Sequence, residues 1–193
     1  MVRVLGIYGS PRKKGNSGLL LDRALEGARQ AGAEVSSLRA TRLKIGGCLE
    51  CGGCDQTGTC VIDDDMQKVY PELAAANRII VGTPVFFYAA PAQLKALIDR
   101  TQAAWSKRML EKTKEQRKSY DSGQGYLIGV GATKGPKLFD GLEQEARYFF
   151  DALDMSYQGG LFFRGLDEKG AVLDRQEFLT QAFELGHKIA SES

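Results

Sequence analysis

Val2-Arg3-Val4-Leu5-Gly6-Ile7-Tyr8-Gly9-Ser10-Pro11-Arg12-Lys13-Lys14-Gly15-Asn16-Ser17 is an apolar run that stops at a glycine, crosses a polar cationic loop and meets a helix start. Val2 to Tyr8 reads as a short buried strand. Leu21, Ala24, Leu25 and Ala28 then recur at helical spacing. The helix is therefore expected to begin near Asn16 or Ser17, either of them a good N-cap, and to end near Gly32.

The same alternation repeats along the chain. Ala33 to Leu38 reads as a second, weaker strand. Arg78-Ile79-Ile80-Val81-Gly82 is a third, apolar on consecutive residues as a strand buried on both faces should be. Gly125 to Gly131 gives a fourth strand and Gly160 to Phe163 a fifth. Asp63-Asp64-Asp65 opens a helix, where acids suit the positive end of the dipole. Leu94, Leu97, Ile98 and Thr101 mark one further stripe, Leu142, Ala146, Phe149, Phe150 and Leu153 another, and Phe178, Leu179, Ala182 and Phe183 the last. Strands alternating with amphipathic helices imply a parallel sheet covered on both faces. Five such units fit a flavodoxin-like, doubly wound α/β fold of strand order 2-1-3-4-5, with its ligand at the carboxyl ends of the strands.

The chain has 193 residues, 43% hydrophobic and 26% charged, with no internal repeat or low-complexity linker, so residues 1–193 are expected to form one domain. A net charge of +2 argues for neither nucleic acid nor a membrane surface. The apolar run starts at residue 2, so no leader is expected, and no stretch reaches the ~20 apolar residues of a bilayer span. The expectation is a cytoplasmic protein.

All four cysteines lie in one insertion after the second strand, Cys48-Leu49-Glu50-Cys51-Gly52-Gly53-Cys54-Asp55-Gln56-Thr57-Gly58-Thr59-Cys60. A reducing compartment disfavours disulfides, and four thiolates this close together are suited to a metal centre. Zinc sites draw cysteine pairs from separated segments, whereas three cysteines at three-residue steps resemble a ferredoxin run wrapping one corner of a cubane. Cys60 is then the candidate to complete it, and the flanking glycines leave room for N–H donors to sulfur. Zinc and metal-free thiols stay open as alternatives at this point.

Two other loops look built for a cofactor. In the first, Ser10, Arg12, Asn16 and Ser17 surround a helix start, where backbone N–H groups, hydroxyls and one cation favour an anion. The spacing matches neither a P-loop nor G-x-G-x-x-G, so a phosphate monoester such as that of FMN fits better than a dinucleotide. In the second, Thr83-Pro84-Val85-Phe86-Phe87-Tyr88 ends a strand with a proline and three aromatics. Backbone groups of Pro84, Val85, Phe86 and Phe87 could bond the edge of a flat ring, although the aromatics equally suit a core or a subunit interface. The loop after the fourth strand adds Ala132 and Thr133 to the expected cofactor contacts.

Gly9-Ser10-Pro11-Arg12-x-x-Gly15-Asn16-Ser17, Thr83-Pro84-Val85-Phe86-Phe87 and Ala92-Gln93-Leu94-Lys95-x-x-Ile98-Asp99-Arg100 resemble the NADPH-dependent FMN reductase family. With the cysteine segment followed by Val61-Ile62-x-Asp64-Asp65-Met66, the chain resembles the family's iron–sulfur flavoprotein branch, closely to about residue 101 and loosely beyond. Tyr88-Ala89-Ala90 departs from the glycine and small polar residue usual there. The resemblance implies FMN at the strand ends, a [4Fe–4S] cluster on a compact loop (residues 46–62, with Cys48, Cys51, Cys54 and Cys60 as ligands), and a homodimer or dimer of dimers with FMN near the subunit boundary. A flavin beside a cluster suits exchange between a pair donor and a one-electron carrier such as ferredoxin, or a small-molecule acceptor, with no side chain needed as acid or base. The alternatives are an NAD(P)H-dependent FMN or quinone reductase without a cluster, and a zinc-bearing interaction module with no enzymatic activity. Residues 105–120 carry six cations against two anions, ordinarily a solvated face and otherwise a docking surface for an acidic carrier. His187, the one histidine, is expected to be solvated or packed.

Overall fold

The computed structural model describes residues 1–192. Five strands, β1 (Arg3–Tyr8), β2 (Glu34–Arg39), β3 (Arg78–Pro84), β4 (Gly123–Gly131) and β5 (Met155–Arg164), pair in the order β2-β1-β3-β4-β5. Every pairing is parallel. The helices are α1 (Asn16–Gln30), α2 (Met66–Ala75), α3 (Ala92–Arg100), α4 (Gln102–Glu111), α5 (Asp140–Ala152) and α6 (Gln176–Ser191). This is the flavodoxin-like arrangement anticipated from the alternation of apolar runs.

The two-residue period of the strands divides the core. Leu5, Ile7, Ile79, Val81 and Leu127 face α2, α3 and α5, packing on Met66, Leu73, Leu94, Leu97, Phe149 and Phe150. Val4, Tyr8, Ile80, Tyr126 and Ile128 face α1 and α6, packing on Leu20, Leu21, Leu25, Ala182 and Ile189. Both faces of β1 and β3 are thereby buried, which is why their sequences are apolar without alternation.

Two boundaries differ from expectation. The fifth strand begins at Met155 rather than Gly160, because a register shift sets Tyr157 against Gly125 and Gly160 against Leu127. Gly159 takes a left-handed φ of 85° there, so the glycines that look like a strand start form the bulge inside an edge strand. The single stripe after β3 is two helices. Thr101 ends α3 and precedes α4, its hydroxyl turned back onto the Ile98 carbonyl at 2.6 Å. A residue whose hydroxyl competes for the backbone of the preceding turn favours such a break.

α1 and α6 cross at backbone distance. A Cβ at Gly186 would lie 1.7 Å from the Ala24 carbonyl oxygen, and one at Gly27 would lie 2.1 Å from that of Phe183. The obstruction is backbone, so no side chain can rotate away. Gly186→Ala is expected to lower the unfolding free energy in urea by about 3 kcal/mol, the upper end of overpacking costs. A change below about 0.5 kcal/mol would contradict this packing.

Candidate functional site

The loops leaving β1, β3 and β4 meet the β5–α6 connection around a cavity of about 130 Å³. Ser10, Arg12, Asn16, Ser17, Pro84, Val85, Phe86 and Ala132 line it, together with Gly15, Leu166 and Asp167. Gly15 is the N-cap of α1, and no side chain caps the helix, so its first N–H groups are left for a ligand. A Cβ at Gly15 would sit 3.1 Å from Ser10 Oγ and 3.2 Å from Arg12 Cβ, filling the cradle. Ser10 Oγ accepts from the Arg12 N–H at 3.2 Å, and Arg12 Nη1 donates to the Asp167 carbonyl at 3.1 Å, so the cation is drawn across the mouth of the cavity. Ser17 is buried at the same helix start.

Asn16 serves differently from its neighbours. Its Nδ2 donates to the Glu168 carbonyl at 2.9 Å and its Oδ1 accepts from the Val172 N–H at 3.2 Å. The side chain therefore ties α1 to the β5–α6 connection, and what Asn16 can offer an anion is its backbone N–H. Leu166 and Asp167 had no sequence signal, since only the topology brings that connection to the β1 edge.

In the ring-edge loop, the Val85 N–H is spent on the Val130 carbonyl at 2.8 Å, and Phe86 and Ala89 pair with each other at 2.9 and 3.0 Å. The outward N–H groups of this turn are those of Phe87 and Tyr88. Both residues have left-handed φ, 50° and 65°, where glycine would be unstrained. Phe87 is fully exposed and Phe86 and Tyr88 are largely so. Thr133 lies in an exposed bend after β4, outside the cavity lining. The cavity alone suits the phosphate end of a ligand, with a ring left to lie over the 86–88 turn.

Cys48, Cys51, Cys54 and Cys60 line one second cavity of about 570 Å³, walled by Asp99, Arg100, Gln102 and Ala103 from α3 and α4. Among the described residues no group of three Cys, His, Asp or Glu side chains closes on a single-ion position. Glycines shape the loop. Gly52 and Gly58 are left-handed at 71° and 67°, and the Gly58 N–H closes a turn on the Cys54 carbonyl at 2.8 Å.

Arg100 locks this loop. It is 1% exposed, and its Nη1 donates to Asp64 Oδ2 at 2.7 Å and to the Gly46 carbonyl at 3.1 Å, while Nη2 reaches Asp64 Oδ1 and the Ile62 carbonyl, each at 3.3 Å. Asp64 also accepts from the Gly46 N–H and from the Met66 N–H, each at 2.9 Å. Asp65 accepts from the Lys44 N–H at 2.8 Å. The acidic triplet is thus more than a helix start, because it zips the two ends of the cysteine loop together. Arg100 Nε is buried without a hydrogen-bond partner. A buried, unpaired cationic donor in the wall of a cavity ringed by sulfur fits an anionic centre there. Burial pushes the Cys60 thiol up, but the Ile62 N–H, the Tyr70 hydroxyl and the Arg100 charge outweigh it and hold the thiol below its ordinary value. The sequence did hold a hint of Arg100, a charge three residues beyond Leu97 on an apolar stripe.

The two cavities share no lining residue. α3 links them: Leu94 packs where a Cβ of Gly9 would be, 2.6 Å away, and Arg100 ends the helix in the cysteine cavity. The basic segment is mostly exposed, but several of its charges are already paired. Arg108 is buried on Asp151 and Asp154, Lys112 bonds Asp121 and Asp154, and Lys107 and Lys118 pair with Glu111 and Glu115. Its excess charge is thus mostly neutralised in place, which weakens it as a docking face. His187 is exposed, its ring stacked on Phe183.

Burial pushes the Asp64 carboxyl up, but Arg100 and the Gly46 and Met66 N–H groups overrule it and hold its pKa below the usual carboxylate value. A lowered folded-state value means that the stabilisation is complete above about pH 4 and is lost as the pH falls through that folded value. Asp64→Ala leaves Arg100 buried and uncompensated, and is expected to cost about 3 kcal/mol at pH 7 in urea unfolding. The same variant should lose part of the wild type's acid sensitivity. A stability within about 0.5 kcal/mol of the wild type would show that the pair does not lock the loop.

The family model described as NADPH-dependent FMN reductase matches residues 2–162. An iron–sulfur flavoprotein of Methanosarcina thermophila is 42% identical over 100 residues, 52% of this chain and 52% of that one. An iron–sulfur flavoprotein of Methanocaldococcus jannaschii is 37% identical over 101 residues, again 52% of each. The chain thus spans about half the length of the curated relatives it matches. Among solved structures, an NAD(P)H:quinone oxidoreductase from Methanothermobacter marburgensis superposes with a TM-score of 0.73 at 16% identity, over 96% of this chain and 98% of that one, which is a likeness of fold. With this fold and these loops, the chain belongs to the NADPH-dependent FMN reductase family.

Proposed function

We propose that the chain holds FMN at the ends of β1, β3 and β4 and a [4Fe–4S] cluster on Cys48, Cys51, Cys54 and Cys60. It would pass electrons between a one-electron carrier such as ferredoxin and the flavin or a downstream small-molecule acceptor. The observation that carries the reading is the one cavity bounded by all four cysteines and by a buried arginine with an unpaired donor. When bound, FMN supplies exchange between electron pairs and single electrons, and the cluster supplies one-electron transfer.

The residues have separate tasks. Ser10, Arg12 and the first N–H groups of α1 would hold the phosphate, with Asn16 keeping the helix start against the β5–α6 connection. The outward N–H groups of Phe87 and Tyr88 would meet the edge of the ring. Arg100 and Asp64 hold together the two ends of the loop that carries the cysteines. No side chain is required as an acid or base, so none is assigned as catalytic. Phe87, Tyr88, Trp105 and Tyr148 are exposed aromatics, and they suit self-association into a homodimer or a dimer of dimers. Hydride uptake from NAD(P)H at the same flavin is a second reading, favoured by the exposed 86–88 turn, whose aromatic side chains would be accessible to another planar group.

Two variants test the division of labour. Arg12→Ala removes a charge-assisted bond worth about 1.5–3 kcal/mol, so FMN affinity should fall about 10- to 100-fold with iron retained. Cys60→Ala should lose iron, keep flavin, and slow reduction by a one-electron carrier. Equal loss of flavin in both would show that the two sites are one.

A further inference from the structure

We infer that Ser106, on α4, sets the reduction potential of the centre in the cysteine cavity by donating a hydrogen bond to the sulfur of Cys54. The inference rests on the proposed cluster, and it names a residue outside the cysteine motif.

Ser106 Oγ lies 3.5 Å from Cys54 Sγ and is directed at it, while Ser106 itself is 2% exposed. The contact is built rather than incidental. Gly58 seats the turn around Cys54 against α4, since a Cβ there would lie 2.7 Å from Lys107 Cβ and 2.9 Å from Lys107 Cα. That turn is itself closed by the Gly58 N–H on the Cys54 carbonyl at 2.8 Å. One turn earlier on the same helix, Gln102 and Ala103 line the cavity. α4 therefore presents its face to the cysteine loop with Ser106 fixed under one sulfur. Arg100, 1% exposed with an unpaired Nε, is a second donor in the same wall.

Reduction adds one electron to such a centre and makes its sulfurs more negative. A hydrogen bond to a ligand sulfur then strengthens, so a donor favours the reduced form and raises the potential. A short buried hydroxyl can do this without changing the charge of the loop. A purely packing role for Ser106 would leave the potential where it is.

The test is an anaerobic dithionite titration of the full chain, following the spin signal of the reduced cluster, with iron, sulfide and flavin content measured alongside. Ser106→Ala should keep its iron and flavin while the reduced-to-oxidised ratio at a fixed poise falls about tenfold, some 59 mV lower for a one-electron couple. Ser106→Thr keeps the hydroxyl and should restore most of the shift. The flavin potential should not move in either variant. An unchanged cluster potential in iron-loaded Ser106→Ala would overturn the inference, as would a Thr variant that behaves like Ala. Loss of iron from both variants would assign Ser106 a packing role and overturn it too. A wild-type chain that holds no iron would instead remove the cluster reading on which the inference stands.

Discussion

A single buried ion pair, Arg100 with Asp64, holds the cysteine loop to the rest of the fold. A guanidinium this deeply buried would be costly alone, and its two-pronged bond to Asp64 with two backbone carbonyls offsets that cost. The same carboxylate receives the N–H of Gly46, where the loop begins, and that of Met66, where α2 begins. Asp64 thus joins the start of the loop, the start of α2 and the last residue of α3 at one carboxylate. Cys48 and Cys51 are otherwise exposed, and Cys54 and Cys60 only partly buried.

That constraint also explains the layout of the two candidate sites. α3 is a short rod with Leu94 under Gly9 at one end and Arg100 in the cysteine cavity at the other. One site uses generic features of the doubly wound sheet, an uncapped helix start and a strand-end turn. The other is an insertion pinned by charge.

Much of this was legible in the sequence because the signals are local. The strand-loop-helix at Val2 to Ser17, the consecutive apolar residues of β3 and the cysteine spacing each announce themselves within a few residues. What escaped depends on contacts made across the fold. Asn16 looked like an anion ligand, yet its side chain is occupied by Glu168 and Val172, which lie far along the chain. The N–H groups of Val85 and Phe86 looked free for a ring edge, yet they have partners that only the sheet and the turn supply. The basic stretch is a surface as expected, except that Arg108 is buried between two acids on α5 and the turn after it, which is a tertiary event. The bulge in β5 hid half of that strand, since polar residues on a sheet edge carry little apolar pattern. Ser106 had no signal, because a serine in a helix is unremarkable until a sulfur is placed beside it.

The central claim is that one chain carries a flavin and an iron–sulfur cluster at separate sites. The most direct measurement is the metal, acid-labile sulfide and flavin content of anaerobically purified protein, read together with its absorption spectrum. The account predicts about four irons and four sulfides per chain alongside one FMN, with a broad visible absorption that bleaches on reduction. Flavin with neither iron nor sulfide, or one zinc per chain, would contradict it.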